Sequence, residues 1–219
     1  MLKKIACVAL LASATLAAPA HAKKGDFLVR ARAILIAPDD SSSGIRPTLP
    51  NERVGIKNSI VPELDFAYMI TKRVGVELVL TTTKRKVSGQ TGTTGAIGTL
   101  ASIKLLPPTL TAQYHFIPDG KVRPYVGAGF NYNIFYDETP SQGLVNAVGN
   151  TSVKLGNKVG KALQAGVDID LTKDVFLNLD IKYIDFSTTA RLSTAAIGVQ
   201  SVRVKVNPFI IGVGLGTRF

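Results

Sequence analysis

The chain has little of the chemistry that enzymes and metalloproteins use. Among its 219 residues there are one cysteine, two histidines and no tryptophan. Cys7 and His21 both fall within the first 22 residues, so His115 is the only histidine after them. The chain beyond residue 22 can therefore form neither a disulfide nor a cysteine metal site. We expect no metal and no cofactor.

Catalytic motifs are also missing. No serine lies in a nucleophile-elbow pattern, and no glycine loop for phosphates or dinucleotides is present. His115 could pair only with carboxylates, and we expect it to be hydrogen-bonded inside the protein instead of acting as a base. The sequence predicts that the protein is not an enzyme.

Long hydrophobic runs are missing after the N-terminus. The one apolar stretch, residues 5–18, follows two lysines and precedes the small-residue pattern Ala20-His21-Ala22. This is the pattern of a secretory signal peptide. The stretch is shorter than the roughly 20 residues that a membrane-spanning helix needs. We predict a cleaved signal peptide at residues 1–22 and a single domain at residues 23–219.

Acidic residues are fewer than basic ones. The chain has 26 lysines and arginines against 15 aspartates and glutamates, a net charge of +11. The predicted signal peptide contains two of the lysines and no acidic residue. A basic protein often binds nucleic acid. Because this one carries an export signal, we expect no nucleic-acid partner and an acidic lipid surface instead.

Alternation of apolar with polar or small residues dominates the rest of the chain. Runs of about ten residues with this period of two are typical of strands that have two different faces. The last run is the clearest, because Phe209, Ile211, Val213 and Leu215 alternate with glycines. We predict eight strands, at about residues 27–37, 59–70, 74–83, 102–116, 124–136, 161–171, 175–187 and 209–219.

The predicted connections alternate in length. Short turns follow the second, fourth and sixth strands, and longer segments rich in Gly, Ser, Thr, Asn and Pro follow the odd-numbered ones. Short periplasmic turns and long extracellular loops are typical of outer-membrane barrels. The sequence predicts an all-β protein, an eight-stranded antiparallel transmembrane β-barrel in the outer membrane of a Gram-negative bacterium.

An exported β-sandwich or lipocalin-like barrel would also alternate apolar and polar residues. Such a soluble barrel needs bulky apolar residues inside. Here the apolar face carries the aromatic residues, and the other face carries glycines and charges of both signs. We interpret the second face as the lumen. The predicted lumen network consists of Arg30, Arg32, Glu63, Asp65, Glu77, His115, Asp168, Asp180 and Lys182.

Aromatic residues other than tryptophan must serve at the membrane interfaces. The expected girdle residues are Tyr68, Tyr114, Tyr125, Tyr132, Tyr136 and Tyr183. The terminal Phe219 ends an alternating apolar strand and resembles the assembly signal of outer-membrane barrels. We expect the barrel assembly machinery to be a partner through this C-terminal strand.

Several motifs together resemble the OmpW family of outer-membrane proteins. One is Arg-Pro-Tyr-Val-Gly-Ala-Gly-Phe-Asn-Tyr at residues 123–132. The resemblance covers nearly all of residues 23–219, and its other motifs lie at residues 25–30, 106–110, 113–116, 164–168, 185–190 and 214–219. In this family tryptophans usually occupy the membrane girdles, whereas this chain has none.

The resemblance implies a passive channel for small hydrophobic molecules, which enter from outside and leave sideways through the barrel wall. An eight-stranded lumen is too narrow for an open aqueous pore, which fits a lateral exit. Proline removes a ladder hydrogen bond, so we expect Pro107 and Pro108 to help form the opening. They could equally mark a bulge at the end of a strand. The other candidate pocket residues are Ile103, Leu105, Asn131, Asn133 and Phe135.

Two other functions remain open. The barrel could be structural and bind lipopolysaccharide or a phage through its loops, or it could be a narrow ion channel. The run Lys84-Arg85-Lys86 suits lipid phosphates, and it could equally be a solvated charge run. Outer-membrane lipids, lipopolysaccharide and small hydrophobic solutes are the expected partners.

Overall fold

The structure is a computed structural model that describes residues 23–219, and the predicted signal peptide lies outside the described residues. The described part contains fourteen strands and two short helices. They are β1 (Phe27–Ala37), β2 (Asp40–Ser42), β3 (Val54–Ile56), β4 (Ser59–Met69), β5 (Val74–Leu80), β6 (Thr83–Gly89), α1 (Gly92–Ile97), β7 (Thr99–Leu106), β8 (Thr109–His115), β9 (Val122–Pro140), α2 (Gln142–Val148), β10 (Thr151–Leu155), β11 (Lys158–Asp170), β12 (Val175–Thr194), β13 (Gly198–Val206) and β14 (Phe209–Arg218).

Eight of these strands pair in a closed antiparallel ring. Its order is β1, β4, β5, β8, β9, β11, β12 and β14, and β14 pairs back onto β1. Short connections at residues 70–73, 116–121 and 171–174 join neighbouring ring strands at the end where the described residues 23–219 begin and end, which we call the terminal end. The predicted antiparallel barrel is confirmed.

The outer surface of the ring is apolar, and its inner surface is polar. Ring residues such as Leu64, Leu110, Phe130, Leu163 and Ile211 are exposed, each by between 48% and 65%. Most of their sequence neighbours are buried and point inward, and the others are half-buried. An apolar belt around a polar interior is the arrangement of a membrane-spanning barrel, so the ring strands are the membrane-spanning segments. Neither helix is long and apolar enough to cross a membrane, among the residues described.

Glycines make room for the large inward side chains. In the β1–β14 register, Arg30 lies opposite Gly216 and Arg32 opposite Gly214. A Cβ atom on Gly216 would collide with the ring of Phe176. The glycine-rich face of β14 therefore lets arginine side chains cross the narrow lumen.

The strands continue beyond the ring at its distal end, meaning the end opposite the terminal end. Two sheets form there, one from β3, β6, β7 and β9 and the other from β2, β13, β12 and β10. Their inner faces share one apolar cluster, which includes Ile45, Val54, Leu100, Leu144 and Val204.

This distal region differs from the predicted loops. Residues 198–206 were expected in a loop, yet they form β13, with Val202, Val204 and Val206 inward. Helices α1 and α2 were not predicted either, because each is one to two turns long and shows no helical period. The apolar residues within these polar segments are buried only because the two distal sheets face each other.

Candidate functional site

Buried charges fill the middle of the ring. Arg30 lies at the centre, and its guanidinium nitrogens contact Asp65 at 3.0 Å, Asp168 at 3.0 Å and Glu77 at 3.4 Å. All four side chains are completely buried. Each of the strands β1, β4, β5 and β11 supplies one of them, so the contacts tie four walls of the barrel together.

A second cation layer lies above the first on the distal side. Arg32 pairs with Glu63 at 2.8 Å and also contacts Asp65. Lys182 pairs with Glu63 at 3.1 Å and with Asp180 at 2.6 Å. We call these residues together with the Arg30 group the charged plug. Its members are Arg30, Arg32, Glu63, Asp65, Glu77, Asp168, Asp180 and Lys182.

His115 lies beside the plug without an ion pair. Its Nε2 atom is 3.4 Å from Oε1 of Gln113, and its ring centroid is 5.2 Å from that of Tyr125. The side chain is 1% exposed. No group of histidine, cysteine, aspartate and glutamate side chains suited to a metal occurs in the described part of the chain.

The expectation that Tyr125 belongs to an interfacial girdle is wrong. The side chain is 1% exposed, and its hydroxyl donates to Asp180 at 2.8 Å inside the lumen. The reason is the strand period: Tyr125 shares its face with the inward Gly127. Asn178 donates to the Tyr125 hydroxyl at 3.0 Å and to Asp168 at 2.8 Å, which links the tyrosine to the plug.

The predicted lumen network leaves out a group of inward residues near the terminal end of the ring. The Phe176 ring lies 5.5 to 5.7 Å from the guanidinium carbons of Arg30, Arg123 and Arg218. Arg123 and Arg218 both pair with Asp170. The same period of two identifies their inward faces, so the signal was present in the sequence.

An apolar cavity of about 150 Å³ lies between the plug and the distal sheets. Glu63 and Lys182 of the plug form part of its lining, and apolar side chains from both distal sheets form most of the rest. Six of the predicted pocket residues line this cavity: Ile103, Leu105, Pro107, Asn131, Asn133 and Phe135. Pro108 does not line it.

The wall beside this cavity contains a break in strand pairing. The prediction of one continuous strand at residues 102–116 is wrong, because β7 ends at Leu106 and β8 begins at Thr109. On one side of the break Val79 pairs with Thr109, and on the other Thr83 pairs with Leu105. Prolines at 107 and 108 have no N–H to donate to the neighbouring strand.

Asparagine side chains of β9 hold the opposite edge of the proline pair. Asn131 Nδ2 donates to the Pro107 carbonyl at 3.1 Å and to Thr109 Oγ1 at 2.7 Å. Asn133 Nδ2 donates to Asn131 Oδ1 at 2.6 Å. We call Asn131 and Asn133 the asparagine bridge. Both are at least 97% buried, in a wall that otherwise presents few polar side chains.

The outer side of the same wall carries an apolar hollow. Asn131 takes part in the lining of both the cavity and this hollow. The hollow is lined by Leu78, Pro108, Leu110, Phe130, Asn131, Tyr132 and Val159. Pro107 lines the cavity and Pro108 lines the outer hollow, so adjacent residues of one segment separate the cavity from the hollow.

The three residues of the Lys84-Arg85-Lys86 run do not share a face. Lys84 and Lys86 are exposed on the outside of β6, whereas Arg85 is 8% exposed and lines the cavity. The interpretation of all three as one lipid-phosphate site is wrong, because neighbouring residues in a strand point in opposite directions.

Comparison with known proteins gives the same fold and adds the family. The OmpW family model matches residues 23–219. The outer membrane protein W of Vibrio cholerae is 33% identical over 221 residues and covers 100% of both chains. The crystal structure of OprG from Pseudomonas aeruginosa superimposes with a TM-score of 0.84 at 31% identity, over 91% of this chain and 98% of that one.

A second solved structure is also similar. It is that of the outer membrane protein AlkL in lipid bilayers, with a TM-score of 0.72 at 25% identity, over 95% of this chain and 97% of that one. These relatives are outer-membrane proteins of Gram-negative bacteria. The chain belongs to the OmpW family and is an outer-membrane β-barrel.

Proposed function

We propose that the protein lets small hydrophobic molecules pass from outside into the outer membrane, through the distal cavity and then sideways through the wall at Pro107 and Pro108. One observation carries the proposal. The apolar cavity ends on the charged plug, and it is separated from the outer apolar hollow only by the wall at Pro107, Pro108 and Asn131.

The plug blocks the straight route along the barrel axis. Its arginines and carboxylates are buried and paired across the lumen. To pass them, an apolar solute would have to separate buried ion pairs, which costs several kcal/mol for each ion left without its partner. A solute in the cavity therefore has no favourable path towards the periplasm.

The wall of the cavity at the proline pair lacks ladder hydrogen bonds to one neighbouring strand. Ladder pairing stops between Val79 of β5 and Thr83 of β6, and opposite them between Leu105 of β7 and Thr109 of β8. On the side of β9, the asparagine bridge and the Tyr132 N–H hold the proline pair, and the Tyr132 N–H donates to the Pro108 carbonyl at 2.9 Å. Each of these hydrogen bonds is worth only about 1 kcal/mol net, so they can break at modest cost.

The outer hollow offers a favourable destination. Leu110 and Phe130 on its rim are 54% and 65% exposed on the membrane-facing surface. A solute that moves from the cavity to the hollow stays in apolar surroundings throughout. The transfer keeps the hydrophobic stabilisation of about 25 cal/mol for each Å² of apolar surface held away from water.

The test is uptake of a labelled small apolar compound by cells with a defined outer membrane. Cells that carry the wild type, the double variant Pro107→Ala/Pro108→Ala or an empty vector are compared at equal surface expression. We expect the wild type to accelerate uptake and the double variant to lose most of that acceleration, because two alanines restore N–H donors that can close the ladder.

Pro124→Ala is the matched control, since Pro124 lies in β9 near the terminal end of the ring and lines neither the cavity nor the hollow. It should leave uptake unchanged. Equal uptake by wild-type and vector cells would contradict hydrophobic transport for that compound class. Equal loss in both proline variants would contradict a specific role for the wall.

A second proposed role is contact with lipopolysaccharide, supported by exposed like-charged pairs on the distal sheets. Lys154 lies directly opposite Arg191, and Lys84 opposite Lys104. Like charges directly opposite each other destabilise a sheet. Asp137 pairs with Lys104 at 2.8 Å and Glu138 with Lys154 at 3.7 Å, which leaves Arg191 and Lys84 as the exposed cations for a lipid phosphate. The double variant Lys154→Gln/Arg191→Gln should retain less lipopolysaccharide on purification than the wild type, and equal retention would argue against this role.

A further inference from the structure

The apolar cavity contains one buried cation without an acidic partner. Three charged residues line it, and two of them, Glu63 and Lys182, pair with each other at 3.1 Å. The third is Arg85 of β6, which is 8% exposed. Among residues 23–219 no carboxylate forms an ion pair with its guanidinium.

The protein uses little of the hydrogen-bonding capacity of Arg85. Its Nη1 atom donates to the carbonyl oxygen of Lys57 at 3.2 Å. A guanidinium has five N–H donors in a planar fork. The cross-strand neighbour on the same inward face is the buried Ile103. The remaining donors therefore lie in apolar surroundings at the cavity wall.

This buried position of Arg85 lowers the stability of the folded protein. A buried charge without a partner is destabilising, whereas an outward position on the same strand avoids that cost, as Lys84 and Lys86 show. Burial lowers the pKa of Arg85 to about 10, so the side chain keeps its charge at neutral pH. A charged group without an acidic partner at the wall of an apolar cavity is a candidate binding residue.

We propose that Arg85 binds the carboxylate of an amphipathic anion whose hydrocarbon chain lies in the apolar cavity, so that the protein admits medium-chain carboxylates as well as neutral apolar solutes. This inference rests on the proposed uptake function and names a substrate class for it. The planar fork of arginine matches a carboxylate with two parallel hydrogen bonds. The apolar residues around it match the chain.

The test compares uptake of labelled decanoate and of its methyl ester at pH 7.5. The two compounds have the same chain, and only decanoate carries a charge at that pH. Cells with wild type, Arg85→Gln or an empty vector are used at equal surface expression. We expect Arg85→Gln to lower the protein-dependent uptake of decanoate about tenfold, the effect of losing a charge-assisted bond, and to change that of the ester less than about twofold.

Lys84→Gln and Lys86→Gln are the matched controls, because each removes the same charge from the outer face of the same strand. Both should leave decanoate uptake within about twofold of the wild type, as expected for charges that do not touch the solute. An equal loss in these variants would overturn the proposal by assigning the effect to surface charge. If Arg85→Gln does not reach the membrane, Arg85→Met provides the same comparison.

Different results would contradict hydrophobic uptake and carboxylate binding at Arg85. If wild-type cells take up the methyl ester no faster than vector cells, the hydrophobic uptake function is wrong. If they take up the ester faster but Arg85→Gln leaves decanoate uptake unchanged, uptake stands and carboxylate binding at Arg85 is wrong. If decanoate and ester uptake fall equally, Arg85 supports the cavity without binding the head group.

Discussion

Arg30 shows at the scale of one residue how the barrel tolerates charges in its interior. Its guanidinium contacts three carboxylates from three other strands, and the ring of Phe176 lies 5.6 Å away. The side chain fits because Gly216 lies opposite it. Buried ion pairs of this kind are costly to form but strongly destabilising to break, since the partner charges stay buried.

Removal of Arg30 should therefore destabilise the whole barrel. We expect Arg30→Met to lower the free energy of unfolding by about 3 kcal/mol or more, because Asp168 loses its main partner and Glu77 loses one of its two arginine contacts. Unfolding in urea, followed by circular dichroism in lipid bilayers, measures the change. Arg203→Met is the control, since Arg203 is exposed on β13 and its loss should cost less than about 0.5 kcal/mol. Equal midpoints for both variants would contradict a central role for Arg30.

At the scale of one element, helix α1 depends on a side chain from a distant segment. The backbone N–H groups of Thr93 and Thr94 donate to the carboxylate of Glu52 at 2.9 and 2.7 Å. The residue before the helix, Thr91, makes no capping hydrogen bond to it. Free N–H groups at a helix start need such an acceptor. Glu52 therefore fixes α1 to the loop that precedes β3.

This cap should loosen in acid. Hydrogen bonds from Thr94 and Thr93 lower the pKa of Glu52 below its usual value of 4.5. A lowered pKa means that the stabilisation is present above pH 4.5 and is lost as the pH falls through the value in the folded protein. The amide chemical shifts of Thr93 and Thr94 should titrate with a midpoint below 4.5, and the titration should vanish in Glu52→Gln. A midpoint at or above 4.5 would contradict the cap.

At the scale of the whole molecule, strand pairing between the two ends of the chain closes the barrel. Strands β1 and β14 form ten register pairs, and no disulfide is available after residue 22. Phe219 extends this closure, because its backbone exchanges hydrogen bonds with Phe27 at 3.0 and 3.1 Å. Its side chain remains 75% exposed. The Phe219 ring therefore contributes little to the packing of the closed barrel.

We expect Phe219→Ala to impair assembly more than stability. The backbone bonds to Phe27 do not need the ring, so the refolded variant should unfold at nearly the wild-type urea concentration. If the barrel assembly machinery recognises the ring, the amount of folded protein in the outer membrane should fall several-fold. Leu215→Ala, an outward residue of the same strand, is the control. A normal membrane level of Phe219→Ala would argue against this recognition.

The local pattern of the sequence predicted most of the barrel, including the course of the ring strands and the inward position of the plug charges. This prediction was possible because successive side chains of a strand point to opposite faces, and that alternation can be read from neighbouring residues alone. The same alternation would have assigned Tyr125 and Phe176 to the lumen. Tyr125 was assigned to the girdle instead because its residue type is common at membrane interfaces.

Only the tertiary structure decided how these faces meet. The proline pair was visible in the sequence, but its position between the cavity and the outer hollow depends on β5, β9 and β11. Likewise, Arg85 could be separated from its two lysine neighbours only after residues 83–89 were found in a strand. Faces along a strand follow from local geometry, whereas partners across the lumen follow from ring closure, which joins residues as distant as Arg30 and Asp168.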